Sequence, residues 1–298
     1  MGYEHLLYEQ DGPVTVITID RPERMNAIGP VLARELLEAW TRFRDDDAAL
    51  VAVLTGAGDE AFCAGGDLKD ALAGELVVPL APAERAAHVR GERPGMLGPT
   101  RWTDLHKPTI AAVNGVAYAG GLEWACWTDL CIADAHATFG VTCRRWNIGL
   151  GDGGTQRLPR IVGYRVAMEL ILTGRVIDAH EAQRIGLVNE VVPSGTCRQR
   201  ARDLAHAIAA LPQPAIHTDK EAAARGFGRP LEEGLRIEAE CFDRLIEGPE
   251  MAEGLRRFNE RDHPDRAPAG APATPGLARP RARSPEGSRT RRERESSR

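Results

Sequence analysis

What this 298-residue chain lacks limits it first. No apolar run approaches the roughly 18 residues of a membrane-crossing helix, and the first residues carry no signal-peptide pattern. A cytoplasmic protein without a membrane partner is expected. The six cysteines, Cys63, Cys126, Cys131, Cys143, Cys197 and Cys241, are scattered, without the paired spacings of zinc sites or redox dithiols. Reduced, mostly buried thiols are expected. The histidines lack metal-ligand spacing as well. Large apolar residues are almost absent after His263, where Pro264 to Arg298 holds six prolines and nine arginines against four acids. Such a segment cannot bury enough surface to offset its ordering entropy, so residues 263–298 read as a disordered Pro/Arg-rich tail. With no aromatics interleaved it offers no stacking platform, and a nucleic-acid partner is not expected. The body left after subtracting the tail has 29 basic against 39 acidic residues, a net charge near −10.

Against those absences stands a composition that is 43% hydrophobic and 27% charged, enough for one large core with or without a helical appendage. The most informative stretch is Lys107 to Leu130. Thr109 to Val113 reads as a buried strand that turns at Asn114-Gly115. Ala119-Gly120-Gly121 then precedes the helix-forming run Leu122-Glu123-Trp124-Ala125, so the glycines fall where a helix begins with unpaired amide hydrogens. Such a terminus favours an anion, or an oxyanion that develops during a reaction, and Glu123 lies a short step further on. A second small-residue turn, Ala61-Phe62-Cys63-Ala64-Gly65-Gly66-Asp67-Leu68, follows the apolar strand Leu50 to Thr55 and again precedes a helix. Either turn alone could be a tight turn with a carboxylate complementing a helix dipole. Together they can each offer an amide to one oxygen, the geometry an oxyanion hole requires.

Around this centre, Tyr3 to Asp20 reads as a hairpin turning at Asp11-Gly12-Pro13, and Val31 to Arg44 as an amphipathic helix with Leu32, Leu36, Ala39 and Phe43 on one face. Leu130 to Ala133 is a further strand. The recurring strand, turn and helix argue for an α/β layered fold with parallel pairing. Leu72 to Thr100 has weak periodicity and reads as a partly mobile segment. Thr155 to Leu172 predicts one or two helices with Pro159 near a junction, and Asp178 with Glu181 forms a capping-box start. Arg198 to Leu211 and Leu231 to Asn259 are long helical patterns separated by Pro212, Pro214 and Gly226-Phe227-Gly228.

The turn Ala64-Gly65-Gly66-Asp67, the Lys107-Pro108 strand leading to Ala119-Gly120-Gly121-Leu122-Glu123, the later Gly153-Gly154-Thr155-Gln156-Arg157-Leu158-Pro159 and Leu172-Thr173-Gly174-Arg175 occur in this order between about Tyr3 and Asp262. In them the sequence resembles the crotonase, or enoyl-CoA hydratase/isomerase, superfamily. The resemblance implies a crotonase-like spiral of ββα repeats with a C-terminal helical oligomerisation region. It places the spiral core and the acyl-CoA site in residues 1–195 and the oligomerisation helices in 196–262, ahead of the tail. It implies hydration of a 2-enoyl-CoA thioester, with coenzyme A part of the substrate and no separate cofactor, in a homotrimer or hexamer. By the same resemblance the amides of Ala64 and Gly120 hold the thioester oxygen and Glu123 is the acid/base. Arg24, Ala27, Ala61, Phe62, Asp67 and Leu68, with Phe258 and Arg261 of the last helices, fall at positions that contact CoA. The Leu72 to Thr100 segment would lie over the acyl pocket and shape substrate choice.

One departure bears on the reaction. Hydratases of this family carry a second glutamate where a gapless count from Gly153-Gly154 puts Cys143, and a thiol of ordinary pKa, about 8.5, is a poor substitute. Asp152, nine residues on, could supply the second carboxylate or could simply cap the helix starting near Gly153. Glu123 could instead work alone, in isomerisation or thioester hydrolysis. Cys143 could be a nucleophile if its thiolate were stabilised. A catalytically weakened scaffold is the reading outside enzymes. Trp124 and Trp146 are candidates for pocket wall or core.

Overall fold

Leu6–Asp11 (β1) and Val14–Ile19 (β2) form the expected hairpin and lead to helix Pro30–Asp45 (α1). The chain then repeats one pattern. Val51–Gly56 (β3) and Ala61–Cys63 (β4) precede Leu68–Leu72 (α2), and Pro82–Val89 (α3) follows in the weakly periodic segment. Thr109–Val113 (β5) and Val116–Tyr118 (β6) precede Gly120–Trp127 (α4). Leu130–Asp134 (β7) and Thr138–Gly140 (β8) precede Gly154–Val162 (α5). Tyr164–Thr173 (α6), Val176–Asp178 (β9), Ala179–Arg184 (α7) and Glu190–Val192 (β10) come next. Four helices, Cys197–Ala209 (α8), Gln213–Gly226 (α9), Leu231–Glu247 (α10) and Pro249–Asn259 (α11), end the described chain. The computed structural model describes residues 2–74, 76 and 80–259, so the expected tail and Arg261 lie outside the described residues.

The strands sort into two sheets. The larger has the order β1-β2-β3-β5-β7-β10 and is parallel except for β1; the smaller has the order β4-β6-β8-β9 and is parallel except for β9. Each repeat sends its first strand to the larger sheet and its second to the smaller, then crosses back through helical chain. That is the spiral of ββα turns expected from the resemblance.

Parity along the strands explains the layering, because alternate residues face opposite sides. Val14, Val16, Val51, Val53, Ile110 and Ala112 pack on Cys197, Ala201, Leu204 and Ala205 of α8. Ile17, Ile19, Ala52, Leu54, Ala111 and Val113 join the other core with α1 and α4. Helix α8 therefore closes one face of the sheet. Corners between the sheets are fixed by side-chain amides. Asn114 Oδ1 accepts from Gly56 N, and its Nδ2 donates to Gly58 O and Ala61 O. A Cβ on Gly115 would sit 2.3 Å from the Glu60 carbonyl. Lys107 donates to the Phe43 and Asp46 carbonyls at the end of α1, where helical carbonyls lack partners.

Three expectations change. Pro159 lies inside α5, and the break falls at Gly163, whose φ of +80° suits glycine. Pro212 and Pro214 mark not a loop but the start of a further helix: Pro212 is the N-cap of α9 and Pro214 sits in its first turn, where proline gives up no helical hydrogen bond. The long pattern after Leu231 is two helices, interrupted at Gly248-Pro249. Trp124 is fully buried in a stack with Trp40 and Trp127, at ring-centroid distances of 6.0 and 5.2 Å, and so is core; Trp146 is exposed. Among the described residues no helix is long and apolar enough to cross a membrane.

Candidate active site

The turn from β6 into α4 is sharp enough that Ala119 takes φ 49°, ψ −114°, a conformation side chains disfavour. Ala119 N donates to Gly140 O, which anchors the turn and leaves the Gly120 amide at the open start of the helix. A Cβ on Gly121 would lie 1.9 Å from the Cys63 carbonyl, so only glycine lets α4 approach β4 this closely.

The other amide differs from the expectation. Ala64 N donates to Met25 O at 3.0 Å and has no hydrogen left for a ligand. Gly66 forms a parallel bridge with Ile28, in which the bonds are carried by Ile28 N to Gly65 O and Asp67 N to Ile28 O. In such a bridge the central residue's own N–H points away. Among the described residues it meets no acceptor, and Gly66 N lies 3.5 Å from where a Cβ on Gly120 would be. The two amides that face one place are thus Gly66 and Gly120. Gly65, at φ +101°, makes this approach possible, since a Cβ there would meet Gly120 N at 2.9 Å. Leu97 and Leu76 cover the pair: their methyls lie 2.2 and 3.1 Å from the Cβ positions of Gly120 and Gly66.

Glu123, one turn into α4, is buried. Its Oε1 accepts from Asp152 N at 2.9 Å and Gly154 N at 2.8 Å. Burial first, then the charge of Asp152, raises its carboxyl from the ordinary 4.5 to about 7, against the two amides and the nearby Arg157. Since both bonds fall on Oε1, Oε2 is the oxygen left for proton exchange. Asp152 is also buried, and it does not cap α5, whose N-cap is Gly153 without a side-chain bond. Instead its Oδ1 accepts from Leu97 N at 3.1 Å and Thr100 Oγ1 at 2.5 Å, while Oδ2 has no partner among the described residues. The structure therefore brings Glu123, Asp152 and Gly120 together, adds Gly66, Leu97 and Thr100, and removes Ala64. Leu97 and Thr100 carried no local signal; Gly66 stood in the right turn, two residues from the position expected.

Cys143 is buried on the short helical turn Thr142–Trp146. Burial pushes its thiol up, with Arg144 opposing, which disfavours the thiolate a nucleophile requires. Arg144 and Arg145 donate instead to the Ile171 and Gly174 carbonyls.

Of the residues expected at CoA, Arg24 and Leu68 are at least partly open at the edge of the turns. Ala61 and Phe62 are core, and the Ala27 carbonyl accepts from Arg21. Asp67 is committed to capping α2 through Lys69 N and to an ion pair with Arg21 at 3.4 Å. Phe258 is exposed on α11, which packs against α10.

Comparison with known proteins gives consistent results. The profile of the enoyl-CoA hydratase/isomerase family matches residues 9–266. The chain is 38% identical over 261 residues to (E)-benzylidenesuccinyl-CoA hydratase of Thauera aromatica, covering 88% of this chain and 96% of that protein. It is 40% identical to a probable enoyl-CoA hydratase of Rhizobium meliloti, covering 87% and 96%. The crystal structure of enoyl-CoA hydratase from Bacillus anthracis superposes with a TM-score of 0.75 at 34% identity, covering 86% of this chain and 96% of that one.

Proposed function

The chain belongs to the enoyl-CoA hydratase/isomerase family, and from that premise we propose that it adds water across the conjugated double bond of a 2-enoyl-CoA, using Glu123 and Asp152 as a carboxyl pair and the Gly66 and Gly120 amides as its oxyanion hole. The observation that carries this reading is the bond from Asp152 N to Glu123 Oε1, which ties Glu123, one helical turn from the Gly120 amide, to the backbone of a second buried acid whose charge bears on it. Asp152 thereby takes the part that Cys143 cannot.

Hydration needs one group to accept a proton from water and one to deliver a proton to the α-carbon. Two neighbouring buried carboxyls resist ionising together, so one of them keeps its proton to higher pH. Glu123, raised to about 7, is the member that keeps it. Asp152 takes a proton from water as the water oxygen bonds to the β-carbon. The π electrons move through the α-carbon onto the thioester oxygen, where the charge is met by the Gly66 and Gly120 amides. Glu123 then protonates the α-carbon, the carbonyl re-forms, and exchange with solvent resets the pair. Arg24 is our candidate for the phosphates of CoA. The apolar residues left exposed on the last helices, among them Leu231, Leu235, Phe242 and Ile246, are our candidates for contact between subunits of a homotrimer or hexamer.

The test is to incubate the protein with enoyl-CoA thioesters of increasing length, including an aromatic one, and to follow loss of the enoyl absorbance beside product mass. The expected product is heavier by one water, and Glu123→Gln and Asp152→Asn should each lower turnover by about 10² or more. An Asp152→Asn enzyme with unchanged turnover and affinity, beside an inactive Glu123→Gln, would defeat the paired reading in favour of one-carboxylate chemistry such as isomerisation.

A further inference from the structure

Arg157 stands behind the carboxyl pair. Its guanidinium donates through one nitrogen to the Asp152 carbonyl at 3.1 Å and through the other to the Trp102 carbonyl at 3.4 Å. The first bond is specific in its consequence. The Asp152 carbonyl belongs to the backbone between the two amides, Asp152 N and Gly154 N, that grip Glu123 Oε1. The second bond ties that loop to the segment bearing Leu97 and Thr100, both hydrogen-bonded to Asp152 Oδ1. Gly153 completes the fit: at φ +106°, a Cβ there would lie 1.9 Å from the guanidinium.

Its charge acts on the same centre. The carboxylates whose charge bears on Arg157 are Glu123 and Asp152. Arginine stays protonated under all working conditions, so a fixed positive charge sits half-buried beside two carboxyls that otherwise repel each other. The remaining groups facing Glu123 are Cys126 on its own helix and Cys143, whose thiols burial keeps neutral. Arg157 is therefore the one cation bearing on Glu123 among the described residues.

We infer that Arg157 is a positioning residue for hydration: its two hydrogen bonds fix the loop that aims Glu123, and its charge sets the pH range in which Glu123 keeps its proton. This rests on the Glu123 and Asp152 reading above. In that reading the alkaline limb of the kcat profile records loss of the proton held by Glu123. Removing a neighbouring cation raises a carboxyl's pKa, so the limb moves to higher pH.

The experiment compares wild type, Arg157→Gln and Arg157→Lys, with Glu123→Gln as reference, measuring kcat and KM for crotonyl-CoA across pH. Arg157→Gln should lower kcat by about 10- to 100-fold with KM changed less than about threefold, as expected for misaligned reacting groups. Its alkaline limb should move up by about one pH unit or more. Arg157→Lys keeps the charge and loses the fork, so its limb should stay near wild type while kcat falls. A Gln variant with wild-type kcat and limb overturns the inference, as does a Lys variant displaced in pH as far as Gln. Should the Gln variant fail to fold, the Lys variant decides alone, by a lowered kcat at an unmoved limb. An active Glu123→Gln would instead sink the underlying site assignment, whatever Arg157 does.

Discussion

Replacing Glu123 by Gln should do two opposite things, and the second can be measured without a substrate. The side chain is only 3% exposed, and the rise of its pKa from 4.5 to about 7 is worth about 3 kcal/mol between its two protonation states. The folded protein holds this proton more tightly than the unfolded chain does. Between those two values, then, folding stability falls as pH rises: it is fully present below about 4.5 and lost through about 7. Gln cannot ionise, and its carbonyl oxygen can still accept from Asp152 N and Gly154 N. The variant should match wild type near pH 5 and exceed it by up to about 3 kcal/mol at pH 8. For a chain of this size that is about 6–12 °C in Tm. Thermal unfolding of both proteins at the two pH values supplies the test, and the difference between differences cancels every other titrating group. A gap that does not widen with pH would refute the claim that burying the ionised carboxylate strains this site.

The backbone makes further predictions. Ala119→Gly should raise Tm, since the φ of 49° that strains alanine by about 1 kcal/mol or more is open to glycine. Gly121→Ala should destabilise by at least about 2 kcal/mol in urea unfolding, because its Cβ meets a backbone carbonyl that cannot swing aside. Thr100→Val removes the 2.5 Å bond to Asp152 Oδ1 and should cut kcat about 10-fold, as expected for loss of a buried hydrogen bond, with the fold intact by circular dichroism.

The spiral was legible because its signals are local. Buried strands are short apolar runs, and the corners declare themselves in Asn114-Gly115 and the two small-residue turns. The free amide of the first small-residue turn was missed by two residues for a non-local reason. Which N–H of a turn is free depends on what pairs with its neighbours, and here Met25 and Ile28, nearly forty residues earlier, take the hydrogen of Ala64 and leave that of Gly66. The role of Asp152 was undecided for the same reason. Its two possible duties differ only in whether its oxygens find the start of α5 or the chain near Thr100, and no local pattern distinguishes them. Helix α9 was lost to a misweighted rule, as prolines that would break a helix interior sit comfortably in its first turn.

In the proposed site, the segment that would roof the acyl group is tethered to the residues proposed for its chemistry. Leu97 covers the Gly120 amide through its side chain and binds Asp152 through its backbone, so one residue would join the wall of the proposed site to its proton relay. Such a joint restricts how this protein can change over generations. A drift toward bulkier acyl chains that displaces Leu97 also loosens a ligand of Asp152, and selection for a new substrate would meet an inherited penalty in rate. Lineages that broaden their diet by this route should carry paired changes, one near residue 97 and a second in the loop around residue 152, and the first without the second should be a poor catalyst on old and new substrates alike.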